Sequence, residues 1–315
     1  MRILSLFDGM ACGMLAFQRA GIKVDRYVAF EIDKYAVQTS SHNFPMIEHR
    51  GDVFQADFTE FLGFDFLVGG SPCTYWSIAQ KNNRETEASG IGWELFSQYV
   101  RALHEAQPMY FIYENNKSMS NAIRESITET FGFEPICINS ALVSAQNRQR
   151  LYWVGKRNAN GTYSKVNVDQ PEDRRIFLQD ILTSEDFAVY NGGAFSRQKP
   201  DQKNYYNGTW QIGVTGQSGG QAVRVYDLKG KSVTIKSQAG GGGGKTGLYL
   251  VNGEVKSLGT SGVMKLQTVP HWYIFPVTDN QAITLLGNGW TVDVITHLII
   301  AIQLGKTLKQ DKEEC

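Results

Sequence analysis

The chain has 315 residues, 42% of them hydrophobic, and its 31 basic and 31 acidic side chains cancel. That length and apolar fraction suit one large α/β domain with a smaller second one. Its four cysteines, Cys12, Cys73, Cys137 and Cys315, form no Cys-x-x-Cys pair and lie near no histidine cluster, which argues against a zinc site or a disulfide framework and for a reducing, cytosolic setting.

The first residues, Met1-Arg2-Ile3-Leu4-Ser5-Leu6-Phe7-Asp8, turn acidic too soon for a signal peptide, and no apolar run is expected to reach the length of a membrane span. Residues 2–7 read as a strand and 11–20 as a helix. Between them stands Phe7-Asp8-Gly9-Met10-Ala11-Cys12-Gly13, where Gly9 and Gly13 let a ligand crowd the backbone at a helix N-terminus. Asp8 would repel a pyrophosphate and suits a ligand carrying positive charge. A second strand, 26–31, ends in Glu31, placed to take ribose hydroxyls. A helix follows over 34–42. Asp52, in Arg50-Gly51-Asp52-Val53, closes a third strand-like piece and can accept from an adenine amino group. An acid at a strand end also commonly caps a helix; three along one sheet edge suggest a nucleoside without phosphates.

The apolar run 64–68 reads as a buried strand, and Gly69-Gly70-Ser71-Pro72-Cys73 then puts a thiol on a sharp turn at its carboxyl edge. Ligands bind at that edge in open α/β sheets, so Cys73 is a candidate nucleophile; the bland alternative is a small buried cysteine. The polar loop 74–92 can close over such a site. A helix over 93–106 and a strand over 109–114 bring Glu114 to the same edge, where an acid in apolar surroundings can donate a proton. A helix over 119–131 and strands over 135–139 and 151–155 follow. In Gln146-Asn147-Arg148-Gln149-Arg150, alternation along an extended segment puts Gln146, Arg148 and Arg150 on one face. Two guanidiniums beside a thiol favour the thiolate and can clamp a carbonyl or phosphate.

Composition changes near Arg174. After a short helix, 177–182, residues 190–267 hold seventeen of the 32 glycines, including Gly240 to Gly244, and strand-like pieces at 223–226, 233–235 and 248–251. Ten basic residues face three acidic ones there, a net +7, leaving −7 for the remainder. Such asymmetry points to a basic region that meets a polyanion. The glycine run is expected to be an ordered loop that approaches a ligand or another backbone. A final helix over 291–304, apolar at Val292, Ile295, Leu298, Ile299 and Ile302, packs back onto the first domain.

Taken together, Phe7 to Gly13, Glu31, Asp52, Gly70-Ser71-Pro72-Cys73, Glu114-Asn115, Gln146 to Arg150 and Gly287-Asn288-Gly289-Trp290-Thr291-Val292 stand in the order seen in DNA cytosine-5 methyltransferases, which the chain resembles over about residues 1–155 and 270–305. It departs from that pattern at Thr74, where many bacterial members have Gln, at Asn116, where Val is usual, and at 281–286, which carries no charge. The resemblance implies a mostly parallel, doubly wound α/β sheet of the Rossmann-like S-adenosylmethionine-dependent class. It implies a catalytic domain over 1–175 and 270–315 and a β- and loop-rich target-recognition domain over 176–269. Cys73, Glu114, Arg148 and Arg150 would be catalytic: Cys73 adds to C6 of a flipped cytosine, Glu114 holds N3, Arg148 grips O2 and Arg150 supports the segment. S-adenosyl-L-methionine would lie against Phe7, Asp8, Gly9, Gly13, Glu31, Asp52, Val53, Pro72, Asn288, Thr291 and Val292, with no metal. Duplex DNA would meet Gln146, Lys199, Lys203, Arg224, Lys236 and Lys245. A cytoplasmic monomer in a bacterial or phage-infected cell, with no membrane partner, is expected, as in restriction-modification. An RNA cytosine-5 methyltransferase and a catalytically silent DNA-binding or partner-stimulating homologue are the competing readings; the basic segment and the intact set of catalytic residues argue against them.

Overall fold

A computed structural model describes every residue except 79–83, 199–204, 207, 217–219 and 314–315, and every side chain of the rest except those at 205–206 and 304–313. Lys199, Lys203 and Cys315 thus lie outside the described residues. The chain divides into two compact units: residues 1–138, 149–170 and 295–315 form one, and residues 139–148 and 171–294 the other. The compact units differ from a division at 175/176 and 269/270: residues 139–148, 171–175 and 270–294 group with the second unit.

The first unit is built on strands β1 (Arg2–Leu6), β2 (Arg26–Phe30), β3 (Glu48–His49), β4 (Phe66–Gly69), β5 (Tyr110–Asn116), β6 (Ile136–Asn139), β7 (Gln149–Arg157) and β8 (Tyr163–Lys165), in the order β3-β2-β1-β4-β5-β7-β6, with β8 against β7. The pairs from β3 to β5 are parallel, whereas β7 runs antiparallel to β5. β1 and β4 are near-continuous apolar runs because helices cover both faces of a parallel sheet. Those helices are α1 (Cys12–Arg19), α2 (Lys34–Asn43), α3 (Gly90–Ala106) and α4 (Asn121–Phe131). Local chemistry sets their ends. The Asp33 carboxylate accepts from the backbone N–H groups of Tyr35 and Ala36 to start α2. Ser120 caps α4 by accepting from Ile123 N–H, and Gly132, at φ 80°, ends it. Each such cap is worth about 1 kcal/mol.

Beneath the carboxyl edge of β4 and β5 lies an aromatic core. The ring of Tyr113 is 4.8 Å from Tyr99, 5.2 Å from Phe96, 5.6 Å from Phe131 and 5.8 Å from Trp153. Aromatic pairs of this geometry add about 0.5–1.5 kcal/mol each beyond the area they bury, so this end of β5 is held rigidly.

The second unit contains α5 (Leu178–Ile181), β9 (Phe187–Val189), β10 (Phe195–Arg197), β11 (Tyr205–Tyr206), β12 (Thr209–Thr215), β13 (Arg224–Tyr226), β14 (Leu248–Val251), β15 (Glu254–Leu258), α6 (Thr260–Leu266) and α7 (Asp279–Asn288). The strands form a mostly antiparallel seven-stranded sheet, β10-β12-β13-β14-β15-β9, with β11 against β12. The glycine run is an ordered turn that approaches protein: Gly243 N–H donates to Ala222 O, Gly247 N–H to Gly243 O, and a Cβ on Gly242 would lie 2.4 Å from the Tyr190 ring. The strand expected over 233–235 does not form. Ile235 N–H donates to the Gln146 side chain and Lys236 N–H to Lys245 O, so no strand ladder claims these groups.

The last helix, α8 (Val292–Glu313), extends beyond the expected end. Against the expectation that no apolar run is long enough, an 18-residue window of the stretch Asp279–Gln303 has mean hydropathy 1.5, apolar enough to cross a membrane by length and composition alone. The stretch is interrupted between α7 and α8 at residues 289–291, and 61% of that window is buried inside the protein, as core helices are.

Candidate active site

The turn that carries Cys73 is fastened to β5 by polar bonds. Register pairs Gly69 with Tyr113, so the chain leaving β4 runs alongside residues 113–115. Ser71 Oγ and the Tyr113 hydroxyl are 2.7 Å apart. Asn115 Nδ2 donates to Ser71 O at 3.1 Å and to the Tyr113 hydroxyl at 3.2 Å. Ser71, Tyr113 and Asn115 are all buried. Pro72 is exposed and opens a 3₁₀ turn over Cys73–Tyr75, whose first carbonyl accepts from Trp76 and Ser77 N–H. Cys73 is partly buried at the sheet edge.

The loop after Cys73 is tied at its base. The Trp76 indole N–H donates to Glu85 at 3.0 Å, and Glu85 accepts again from Gly92 N–H. Arg84 donates to Trp76 O and Ser118 O.

Glu114 reaches the same edge. It pairs in register with Tyr152, so Arg150 is its diagonal neighbour on β7, and Arg150 Nε stands 3.0 Å from Glu114 Oε1. Gly70 leaves the space this carboxylate uses: a Cβ there would lie 2.6 Å from Glu114 O and 2.9 Å from Glu114 Oε2. The turn chemistry that places Cys73 therefore also makes room for Glu114.

Along the edge, β1 and β2 present the acids. The segment after β1 carries three left-handed residues in five, Phe7 (φ 56°), Gly9 (φ 59°) and Ala11 (φ 61°). Strain of this kind at two residues with side chains marks a backbone shaped for something other than packing. Asp8 Oδ1 accepts from Ser5 Oγ at 2.6 Å and from the Tyr27 hydroxyl at 2.7 Å, while its Oδ2 is buried and without a hydrogen-bond partner among the described residues. Burial pushes the carboxyl up to about 6; the Ser5 and Tyr27 bonds pull against that shift and nearby Glu31 adds to it. Glu31 Oε2 accepts from Gly9 N–H and Oε1 from Ile32 and Asp33 N–H, each at 2.8 Å. A carboxylate has about four acceptor sites, so these bonds leave Glu31 one for a ligand. Asp52 caps a 3₁₀ turn through Phe54 N–H, and Val53 beside it is buried. Two apolar side chains next to these acids, Ile32 and Phe54, are 77% and 41% exposed. Gly13 is buried within α1. A buried orphan oxygen, a strained glycine loop and exposed apolar groups beside two acids fit a nucleoside ligand.

Arg148 and Arg150 part company. β7 begins at Gln149, so the alternation that groups the two arginines runs past the strand's start. The Arg148 guanidinium is buried and donates to Ile235 O, Gly287 O and Gly289 O at 2.9–3.1 Å. Gln146 is buried too: its Nε2 donates to Leu266 O and Gln267 Oε1, and its Oε1 accepts from Ile235 N–H. Thr291 donates to Gln267 Oε1, so it must accept from Ser140 Oγ, and Gln267 Nε2 closes the network on Leu286 O and Gly289 O. Val292 is core and Asn288 is exposed at the end of α7.

The basic residues sort by burial. Arg224 is exposed. Lys236 is half-buried, and burial together with neighbouring Arg224 lowers the pKa of its ammonium. Lys245 Nζ is engaged by Asn280 and Thr284 of α7. Lys231 is buried on the carbonyls of Ala141, Ser144 and Ile176, and Lys265 pairs with Asp186 at 2.6 Å. Three of the ten basic residues counted there, Lys231, Lys245 and Lys265, are thus engaged inside the second unit. Sequence inspection missed Ser71, Tyr113, Ser140 and Gln267, whose partners are remote in sequence; only the Ser-Pro-Cys turn hinted at one of them.

The C-5 cytosine-specific DNA methylase family model matches residues 1–304. The orphan methyltransferase M.SPRI of Bacillus phage SPR is 34% identical over 288 residues, covering 77% of this chain and 65% of that protein. The type II methyltransferase M.HhaI of Haemophilus parahaemolyticus is 25% identical over 321 residues, covering 98% and 95%. The orphan methyltransferase M.Rho11sI of Bacillus phage rho11s is 28% identical over 80% of this chain, which spans 60% of that relative's length. Among solved structures, a putative DNA modification methyltransferase encoded within an E. coli prophage matches with TM-score 0.65 and 18% identity, covering 96% and 98%. Entamoeba histolytica EhMeth matches with TM-score 0.69 and 14% identity, covering 96% and 97%. At such identities the structures show a shared methyltransferase fold.

Proposed function

Because the chain belongs to the C-5 cytosine-specific DNA methylase family, we propose that it methylates C5 of a cytosine flipped out of a specific duplex DNA sequence, with Cys73 as the nucleophile. The observation that carries this is the Ser71 to Cys73 turn, bonded to β5 where Glu114 and Arg150 pair. C5 of cytosine is a poor nucleophile. Addition of the Cys73 thiolate to C6 makes an enamine, and C5 then takes the methyl group. Loss of the C5 proton to solvent and departure of Cys73 restore the 5,6 double bond. Glu114 holds N3, and Arg150 fixes the Glu114 carboxylate and presents guanidinium N–H groups to the base. C6 is hidden inside a duplex, so the base must leave the stack.

S-adenosylmethionine, when bound, supplies an electrophilic methyl group on a positive sulfur. Glu31 would take a ribose hydroxyl, Asp52 an amino group, and the strained backbone from Phe7 to Ala11 would approach the rest of the ligand, beside Asp8. Arg148, Gln146 and Thr291 maintain the second unit's polar interior. That unit, with Arg224 and Lys236 on phosphates, is the proposed target-recognition domain.

Tritiated methyl transfer from S-adenosylmethionine, measured on duplex DNA and on tRNA, tests the reaction; bisulfite sequencing of DNA from expressing cells identifies the site. Label on duplex DNA with Cys73 trapped by a 5-fluorocytosine duplex is the expected result. Label on tRNA alone, or trapping that survives Cys73→Ser, overturns it.

A further inference from the structure

We propose that the Tyr113 hydroxyl is a positioning group for Cys73, acting through Ser71; the catalytic part of this inference rests on the methyl-transfer reading. Three observations converge on it. The Tyr113 ring is clamped among Phe96, Tyr99, Phe131 and Trp153, at 4.8–5.8 Å between ring centres, so its hydroxyl is a fixed point of the core. That hydroxyl meets Ser71 Oγ at 2.7 Å, two residues before the nucleophile. Asn115 Nδ2 closes the triangle on Ser71 O and the Tyr113 hydroxyl, and Asn115 Oδ1 is held in turn by Asn116 N–H at 2.8 Å.

The chemistry explains why such a latch matters. Cys73 must add to C6 and later leave it, so its sulfur must return to one place on each turnover. A turn of Gly-Gly-Ser-Pro has little side-chain packing of its own to fix it. A buried hydroxyl pair, away from competing water, locks one backbone geometry where packing cannot. Ser71 supplies the handle and Tyr113 the anchor. Burial pushes the Tyr113 phenol above the range where it ionises in working buffers, so it stays a neutral hydrogen-bonding partner throughout.

The test uses the full chain and four variants: Tyr113→Phe, Ser71→Ala, the double variant and Ser71→Thr. The first readout needs no DNA: the rate at which iodoacetamide alkylates Cys73, followed by peptide mass spectrometry with Cys12 as internal reference. Loosening the turn is expected to change this rate at least threefold in Tyr113→Phe and in Ser71→Ala, with Cys12 unchanged. The second readout is the single-turnover rate of adduct formation on a 5-fluorocytosine duplex, expected to fall about tenfold, with DNA and S-adenosylmethionine affinities within twofold of wild type. The double variant should be no slower than the worse single one, and Ser71→Thr, which keeps the hydroxyl, should recover most of the rate. Unchanged Cys73 alkylation, losses that multiply in the double variant, or a loss matched by weaker DNA binding would overturn the latch. A wild type that forms no adduct while the variants still change Cys73 alkylation would refute the methyl-transfer reading and leave the latch standing.

Discussion

Arg150 Nε stands 3.0 Å from Glu114 Oε1, with only 13% and 12% of the two side chains open to water. The pair is the diagonal contact that the β5 and β7 register dictates, and it lies at the strand end beside the Cys73 turn. Removing one partner of so sheltered a pair strands the other charge, at a cost of about 3 kcal/mol. Arg150→Lys keeps the charge and loses the planar fork. It is expected to lower kcat 10- to 100-fold while S-adenosylmethionine affinity stays within twofold. Steady-state kinetics and calorimetry check this, and an unchanged kcat would remove Arg150 from the site.

Arg148 is expected to behave differently. Arg148→Ala strips the donors from Ile235 O, Gly287 O and Gly289 O and leaves buried carbonyls unpaired, at about 1–3 kcal/mol for each that water cannot reach. The expected outcome is a fall in Tm of several degrees and poor soluble yield. A normally folded variant with impaired chemistry alone would restore Arg148 to the catalytic set.

Asp8 gives the chain a pH signature. Its folded value of about 6 lies above its ordinary 3.8, so the folded state binds this proton more tightly than the unfolded state does. The stability it contributes is complete below about 3.8 and is lost as pH rises through about 6. Asp8→Asn cannot ionise, so its stability relative to wild type should be most favourable near pH 8 and should decline as pH falls to 4.5, by about 2 kcal/mol. Denaturant titrations across that range provide the measurement. A difference flat with pH would show that the buried carboxylate is compensated.

Arg224 and Lys245 separate phosphate contact from structure. Arg224 is exposed, so Arg224→Ala should weaken binding to all duplex sequences and reduce the salt slope by about 1. Lys245 is occupied by Asn280 and Thr284, so Lys245→Ala should lower Tm and leave the salt slope alone. Fluorescence anisotropy over a salt series distinguishes them; equal slopes for both variants would contradict the assignment.

The parallel sheet was legible in the sequence because β1, β4 and β5 are short apolar runs punctuated by Gly, Pro and polar residues. The arrival of Cys73 and Glu114 at one sheet edge was legible for the same reason: an apolar strand runs directly into each. What sequence inspection could not see depends on register or burial. Ser71 finds Tyr113 only because Gly69 pairs with Tyr113 across two strands. Arg148 looked equivalent to Arg150 because alternation was extended beyond the first residue of β7. Lys231, Lys245 and Lys265 counted toward a basic surface because a charge tally is blind to buried carbonyls and to Asp186. The strands β9, β10 and β12 escaped notice because they are short, glycine-bearing or polar, and gain their stability from neighbours in the sheet.

Residues 139–148 belong to the same compact unit as 171–294, and the Lys231 ammonium is held by the carbonyls of Ala141 and Ser144. The natural breakpoints for recombination therefore do not flank the glycine-rich stretch alone. A chimera that imports only 176–269 from a relative inherits a lysine two of whose three carbonyl partners stay behind in the host. One that carries 139–148 along and runs on through 294 transplants a complete interior. Inheritance of a new target sequence should thus travel as two linked cassettes, and lineages that exchange it should show paired junctions rather than one insert.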